Sequence, residues 1–218
     1  MGRIITVASS KGGVGKSLLN IVLSANLAAH RYRVAVIDAD PNACFFQWHK
    51  LYEGAPIDCS AEIRQEEIVD LAQSKAAEFD VVMIDTAGFG NTTAAFAAGT
   101  ADMVLIPVMP DRASATEAMR TARQVQAFGK AGQRTIPIRI VRSRWNPRGL
   151  AERAVIGDIE GAGLPFLTQH LSDLSEFGKI TLSGHVPVTG RVGLQADRII
   201  NELIAAKALP AKPGRAAA

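Results

Sequence analysis

Cysteine is scarce in this chain: Cys44 and Cys59 are the two it has among 218 residues. Two are too few for a disulfide framework. Neither has Cys or His partners at metal-ligand spacing, so a structural zinc site and a cysteine-held iron–sulfur cluster are not expected. Both read as packing residues in a reduced interior. The four histidines, His30, His49, His170 and His185, are scattered and suggest no catalytic constellation. No basic segment followed by a secretory apolar core opens the sequence, and no apolar run approaches the ~20 residues that cross a bilayer. A soluble, cytoplasmic protein is the expectation.

Acidic residues are missing from one long stretch. None stands between Glu117 and Glu152, where Arg120, Arg123, Lys130, Arg134, Arg139, Arg142, Arg144 and Arg148 all fall. Residues 1–111 carry 8 Lys and Arg against 13 Asp and Glu, whereas residues 112–218 carry 16 against 8, so the net charge of +3 hides an acidic first half and a basic second half. Such clustering fits either a polyanion partner or a solvated surface without a ligand.

What is present is enough apolar content, 48% of residues against 21% charged, to bury one sizeable core. Short Val/Ile-rich runs predict strands at Arg3–Ala8, Arg33–Asp38, Val81–Asp85, Met103–Val108 and Ile136–Val141, each mostly apolar, as parallel strands buried on both faces are. Helical spacing falls between them, at Ser17–Ala29, Glu66–Phe79, Thr93–Gly99, Ala113–Phe128 and Arg148–Gly161, with a last helix over Gly193–Ala206. Strand and helix in alternation predict an α/β doubly wound, mostly parallel sheet with helices on both faces and a ligand at the carboxyl ends of the strands. Residues 1–206 are expected to form this single domain. The Pro/Ala-rich tail, residues 207–218, is expected to be disordered.

Between the first strand and the first helix lies "ASSKGGVGKS", from Ala8 to Ser17. It nearly fits the phosphate-binding pattern G-x-x-x-x-G-K-[ST], but Ser10 stands where the pattern has glycine, and Lys11 adds a second lysine. Gly12, Gly13 and Gly15 let backbone N–H groups turn toward phosphate oxygens at the positive end of a helix. Lys16 would reach the β- and γ-phosphates, and the Ser17 hydroxyl would coordinate Mg²⁺. Asp38 and Asp40 in "VIDADPN" end the second strand, and Asp85 in "VVMIDTAG" ends another. All three belong at the carboxyl edge near the loop, where Asp85 can hold a Mg²⁺-bound water and Gly88 lets the chain pass close to the γ-phosphate.

In this order and spacing, "SSKGGVGKS", "VIDADPN" and "VVMIDTAG" resemble the deviant Walker A, Walker A′ and Walker B motifs of the ParA/MinD family of P-loop ATPases. The resemblance runs from Arg3 to about Ala206; "LIPVMPD" and "SGHVPV" are similar to later family segments. It implies ATP or ADP with Mg²⁺ as ligands and slow, partner-stimulated hydrolysis. The phosphates are expected to be bound by Gly12, Gly13, Val14, Gly15, Lys16, Ser17 and Leu18, and the metal to be served by Ser17, Asp38 and Asp85. Lys11, Lys16 and Asp40 are the expected catalytic set. Lys11 is expected to cross a dimer interface to the other subunit's nucleotide, so that ATP binding and pairing are coupled, and Asp40 to orient the attacking water. Ser10 fits a loop backbone made to face another protein.

Two departures stand out. Leu18 occupies a position where relatives usually carry a second Thr or Ser, and Arg142 one where many carry Asn.

The resemblance to small, plasmid-type ParA proteins implies an ATP-dependent homodimer that binds DNA without sequence preference, and a ParB-like partner that stimulates hydrolysis. Such a protein would be nucleoid-associated when ATP-bound. The basic second half favours this branch, with Arg139, Arg142, Arg144, Arg148, Arg191 and Arg198 as candidate phosphate contacts. Trp145, among them, could stack on a base or pack in the core. The first strand begins at once, so the N-terminal DNA-reading extension of the larger partition ATPases is not expected. The tail "LPAKPGRAAA" has little apolar bulk to drive membrane insertion, so no membrane partner is expected. The alternatives are an accessory ATPase that positions another cargo, in DNA transfer or MinD-like in cell division, and a P-loop enzyme of small metabolites.

Overall fold

The computed structural model describes residues 1–88, 90 and 92–214. Among them, β1 (Arg3–Ser9), β2 (Val34–Ala39), β3 (Ile57–Ala61), β4 (Val81–Gly88), β5 (Met103–Val108), β6 (Ile138–Trp145) and β7 (Phe166–Ser172) form one sheet. Its order is β3-β2-β4-β1-β5-β6-β7, and each neighbouring pair is parallel. The helices are α1 (Lys16–Ala29), α2 (Cys44–His49), α3 (Gln65–Glu78), α4 (Thr92–Thr100), α5 (Arg112–Ala131), α6 (Leu150–Gly161), α7 (Ser175–Ser183) and α8 (Gly190–Ala205). The expected doubly wound sheet is the observed one.

The inner strands explain themselves. Both β2, VAVIDA, and β5, MVLIPV, are buried at every position. Alternate side chains serve two layers, because successive residues of a strand point to opposite faces. Ile5, Val7, Val36 and Met83 pack with α1, α2, α7 and α8, whereas Ile4, Ile37, Val82 and Ile84 pack with α3, α4, α5 and α6. α1 lies against the sheet's centre, and every residue from Leu19 to Ala28 is buried. α3 buries only Ile68, Ala72 and Ala76, a stripe at helical spacing that suits a helix with one wet face.

The winding order sets the site. From central β1 the chain moves outward to β2 and β3, returns to insert β4 between β2 and β1, and then proceeds to β5, β6 and β7 on the other side. The carboxyl ends of β2, β4 and β1 are therefore neighbours at the point where the winding reverses, which is where open α/β sheets bind ligands.

Four elements differ from the sequence-based expectation by being present at all: β3, α2, β7 and α7. β3 and β7 are the sheet's edges, and neither is apolar throughout. β6 also runs further than expected, to Trp145, so it includes Arg142. The chain after α8 is not loose at its start. Ala208 and Leu209 are buried in the core, and the Tyr32 hydroxyl donates to the Pro210 carbonyl at 2.9 Å. Residues 215–218 of the expected disordered tail lie outside the described residues. Among the described residues, no helix is long and apolar enough to cross a membrane.

Candidate functional site

The loop between β1 and α1 is built around its glycines. Gly13 and Gly15 have φ of +74° and +92°, a region that side chains bearing a Cβ adopt only with strain. A Cβ on Gly15 would also press to 3.1 Å from Ser143 Oγ at the end of β6. Gly12 is different: a Cβ there would meet nothing within 4 Å among the described residues. Contact with the described residues does not account for glycine at that position, whereas a ligand or partner lying against the backbone would. Val14 is buried and anchors the loop, while Lys16, Ser17 and Leu18 stay partly exposed.

α1 starts from Gly15 with no side-chain cap and no acidic residue in its first turn. Its leading N–H groups therefore have no capping side chain of their own, and the positive end of the helix opens onto the loop. That is an anion site in waiting.

Beside it, Asp38 and Asp85 are register partners across β2 and β4, and Val7 pairs with Asp85 across β1 and β4. Both carboxylates face the α1 side of the sheet and both are fully buried. Asp85 Oδ1 accepts from Asn20 Nδ2 at 2.9 Å, but Oδ2 is buried with no hydrogen-bond partner among the described residues. Burial pushes the Asp85 carboxyl up to about 7; Ser17 opposes this, Asp38 adds to it, and Lys16 and Asn20 oppose it. An unsatisfied carboxylate oxygen beside a serine hydroxyl is the hard oxygen donor set that suits Mg²⁺, and a cation there would offset the cost of burying the charge. The residues fit the ion.

Asp38, expected to serve the metal with Ser17 and Asp85, is a correction: both of its oxygens are committed to the backbone. Its Oδ1 accepts from Asp40 N at 3.0 Å and its Oδ2 from Phe46 N at 2.8 Å, which ties the Asp40 turn and the start of α2 to the end of β2. Burial raises its pKa, and those backbone donors oppose the shift. Asp40 is partly exposed, with Oδ1 accepting from Asn42 N and Nδ2, both at 2.9 Å.

Ser10 and Lys11 both face α5. Ser10 N donates to Thr121 Oγ1 at 3.0 Å, and its hydroxyl lies 3.0 Å from Thr121 Oγ1 and 3.3 Å from Gln124 Oε1. A serine replaces glycine here because its side chain docks the loop on the protein's own helix, which corrects the expectation of a backbone turned to another protein. Lys11 Nζ is 2.6 Å from Asp111 Oδ1 of the same chain.

The candidate DNA arginines divide. Arg144, Arg148, Arg191 and Arg198 are exposed, and the last two sit seven residues apart on one face of α8. Arg139 is half-buried, with Nη1 donating to its neighbour's carbonyl. Arg142 is a correction. It is 8% exposed and fills an irregularity in the β6–β7 pairing, where Nη2 donates to the Leu167 carbonyl at 3.1 Å and to that of Thr168 at 2.5 Å. The rings of Trp145 and Phe166 lie 5.5 and 5.4 Å from its guanidinium, and Trp145 is itself buried. Neither Arg142 nor Trp145 is available to a polyanion.

Asn20, Thr121, Gln124 and Ser143 belong to the site's surroundings although no motif pointed to them, and Asp111 closes the segment "LIPVMPD" without having been given a role there. Asn20 carried a signal, as a polar residue inside the apolar run of α1, four residues after Lys16. The others are brought in by the fold alone.

Residues 5–188 match the CobQ/CobB/MinD/ParA nucleotide binding domain. Protein ParA of Rhizobium radiobacter is 30% identical over 145 residues, which are 66% of this chain and 65% of that protein. The chain thus spans just under two thirds of the relative's length. Among solved structures, apo McdA of Cyanothece superposes with a TM-score of 0.77 at 17% identity, covering 93% of this chain and 100% of that one. The septum site-determining protein MinD of Pyrococcus horikoshii, complexed with Mg-ADP, gives 0.74 at 16% identity, covering 96% and 100%. With 184 consecutive residues matched and the loop and carboxylates grouped on adjacent strands, the chain belongs to the CobQ/CobB/MinD/ParA family of nucleotide-binding domains.

Proposed function

We propose that this protein is a ParA-type ATPase that pairs with a second copy when ATP-bound, holds DNA without sequence preference in that state, and segregates a plasmid-like cargo. The observation that carries the reading is the juxtaposition of an uncapped α1 N-terminus with the unpartnered, buried Oδ2 of Asp85. One is fitted to phosphate and the other to the cation that accompanies it.

In this reading the loop N–H groups of Gly12 to Leu18 and the Lys16 ammonium bind the phosphates of ATP. Ser17 and Asp85 hold Mg²⁺, which supplies charge neutralisation at the phosphates. Asp38, bonded to the Asp40 backbone, keeps Asp40 at the mouth of the site to orient a water against the γ-phosphate. Lys11 acts on the nucleotide of the second copy, as a cation supplied in trans does in other phosphoryl transfers. Pairing thereby becomes a consequence of ATP binding, and hydrolysis, stimulated by a ParB-like partner, ends it.

The exposed Arg144, Arg148, Arg191 and Arg198 supply the DNA contacts. The ParA relative supports a partition role. The McdA and MinD neighbours support the same switch acting on a different cargo. The discriminating experiment is ATP turnover by the isolated protein, then with DNA and with candidate partners. A switch turns over slowly alone and faster with its partner, and Lys16→Ala abolishes both rates. Fast turnover of the protein alone would indicate a metabolic P-loop enzyme instead.

A further inference from the structure

The ion pair between Lys11 and Asp111 joins the loop that the proposed function sends to a partner with the residue that caps a helix in the same chain. Asp111 caps α5: its Oδ1 accepts from Ser114 N at 2.8 Å as well as from Lys11 Nζ at 2.6 Å. The carboxylate is therefore fixed by the helix it caps. Its pKa is held below the usual range, with Lys11 the largest cause. The lysine backbone is fixed too, because neighbouring Ser10 is bonded to Thr121 and Gln124, about three to four turns further along α5. Loop and helix form one bonded unit that aims the Lys11 ammonium at its own Asp111.

We infer that Asp111 is a positioning residue that holds Lys11 in its own chain until the nucleotide of a second copy competes for it. The inference rests on the reading of Lys11 as the lysine that acts in trans, and it assigns that site a brake. The magnitude decides that the brake can open. The two side chains are 28% and 42% exposed, so water and salt screen their attraction and the pair is weak. A triphosphate carries several negative charges against one on Asp111, and so outcompetes it at close range. In the unpaired chain, the same contact keeps Lys11 folded back against α5. Two such contacts open for each dimer formed, so the effect on pairing enters twice.

The test is Asp111→Asn, since asparagine still caps a helix but has no charge to hold the ammonium. Pairing is followed by sedimentation velocity in wild type, Asp111→Asn, Lys11→Gln and the double variant, over a protein concentration series with Mg²⁺ and the ATP analogue AMPPNP. Circular dichroism establishes that each variant is folded. Removing a pair of this exposure is worth about two- to five-fold per subunit, so the dimer dissociation constant of Asp111→Asn should fall about four- to twenty-five-fold. The double variant should match Lys11→Gln alone, because Asp111 acts only through the lysine. Pairing of Asp111→Asn where wild type does not pair supports the brake in the same way. If Asp111→Asn pairs no more tightly than wild type while Lys11→Gln fails to pair, the brake is overturned and the trans-lysine reading survives. If Lys11→Gln pairs like wild type, or neither wild type nor Asp111→Asn pairs, the trans-lysine reading falls and takes the brake with it.

Discussion

Asp38 and Asp85 stand side by side in register on adjacent parallel strands, both buried, with only one of their four carboxylate oxygens lacking a hydrogen-bond partner among the described residues. Two like charges so placed, without a cation, oppose folding. Asp85→Asn should therefore leave the melting temperature of the nucleotide-free protein unchanged or raise it by about 2–4 °C, the shift that ~1 kcal/mol gives a chain of this size. The same variant should lose the extra stabilisation that Mg²⁺ adds to ATP. Thermal melts with ATP, with and without Mg²⁺, read both effects. A Mg²⁺-dependent shift that persists in Asp85→Asn would remove Asp85 from the metal site.

The loop glycines should separate by mechanism. Gly15→Ala forces a Cβ into a left-handed conformation and against Ser143 Oγ, so it should cost about 1–2 kcal/mol of stability and abolish nucleotide binding. Gly12→Ala meets no atom of the described residues within 4 Å and should fold like wild type, yet lose ATP-dependent pairing. Urea unfolding with and without nucleotide distinguishes the two. A Gly12→Ala variant that pairs normally would show that nothing approaches the loop there.

Among the arginines, burial predicts opposite phenotypes. Arg142→Ala should cost about 2–4 kcal/mol, because it orphans two carbonyls in the β6–β7 irregularity and empties the space between two rings. Arg144→Glu, Arg148→Glu, Arg191→Glu and Arg198→Glu should change stability by no more than about 0.5 kcal/mol each while weakening DNA binding. Chemical denaturation paired with DNA retention measures both. An Arg142→Ala protein of normal stability that loses DNA would reverse the assignment.

The limits of reading this chain follow from which forces act locally. Strands β1, β2, β4 and β5 were legible because inner parallel strands are mostly apolar; β3, IDCSA, and β7, FLTQHLS, were not, because an edge strand is covered less completely. The phosphate loop and the three aspartates were legible as motifs, since each lies at the end of an apolar run. The docking of Ser10 on Thr121 was not, because 111 residues separate them and only the winding order brings them together. Arg142 counted as one more charge in a basic stretch until the β6–β7 pairing turned it inward. Leu209 lay in a Pro/Ala-rich tail whose composition gave no sign that its side chain closes the core beneath α8.

The cysteines carry a pH dependence. Burial, with the charges of Asp38 and Asp58 adding and Lys75 opposing, pushes the half-buried Cys59 thiol up to about 12. Cys44 is exposed at the start of α2, and its thiol is raised by burial first and then by Asp40, Asp38 and Asp85. A raised thiol pKa favours the neutral form, so reactive thiolate grows as pH rises toward it. At pH 8 the Cys59 thiolate fraction is about 10⁻⁴, increasing about tenfold per pH unit. Maleimide labelling of the folded protein, followed by mass spectrometry, should modify Cys44 first, with Cys59 lagging and accelerating as the buffer becomes alkaline. Equal labelling at pH 7 would contradict that burial.

In the proposed function the nucleotide switches this protein on and off DNA. The most direct measurement of that switch is binding to a long duplex of arbitrary sequence at two salt concentrations, with Mg²⁺ and either ADP or AMPPNP. Four or more arginine–phosphate contacts from each paired complex predict tight binding with AMPPNP alone, weakening by at least about a hundred-fold between 50 and 200 mM salt. Equal binding with ADP and AMPPNP, or none with either, would show that the nucleotide does not act as that switch.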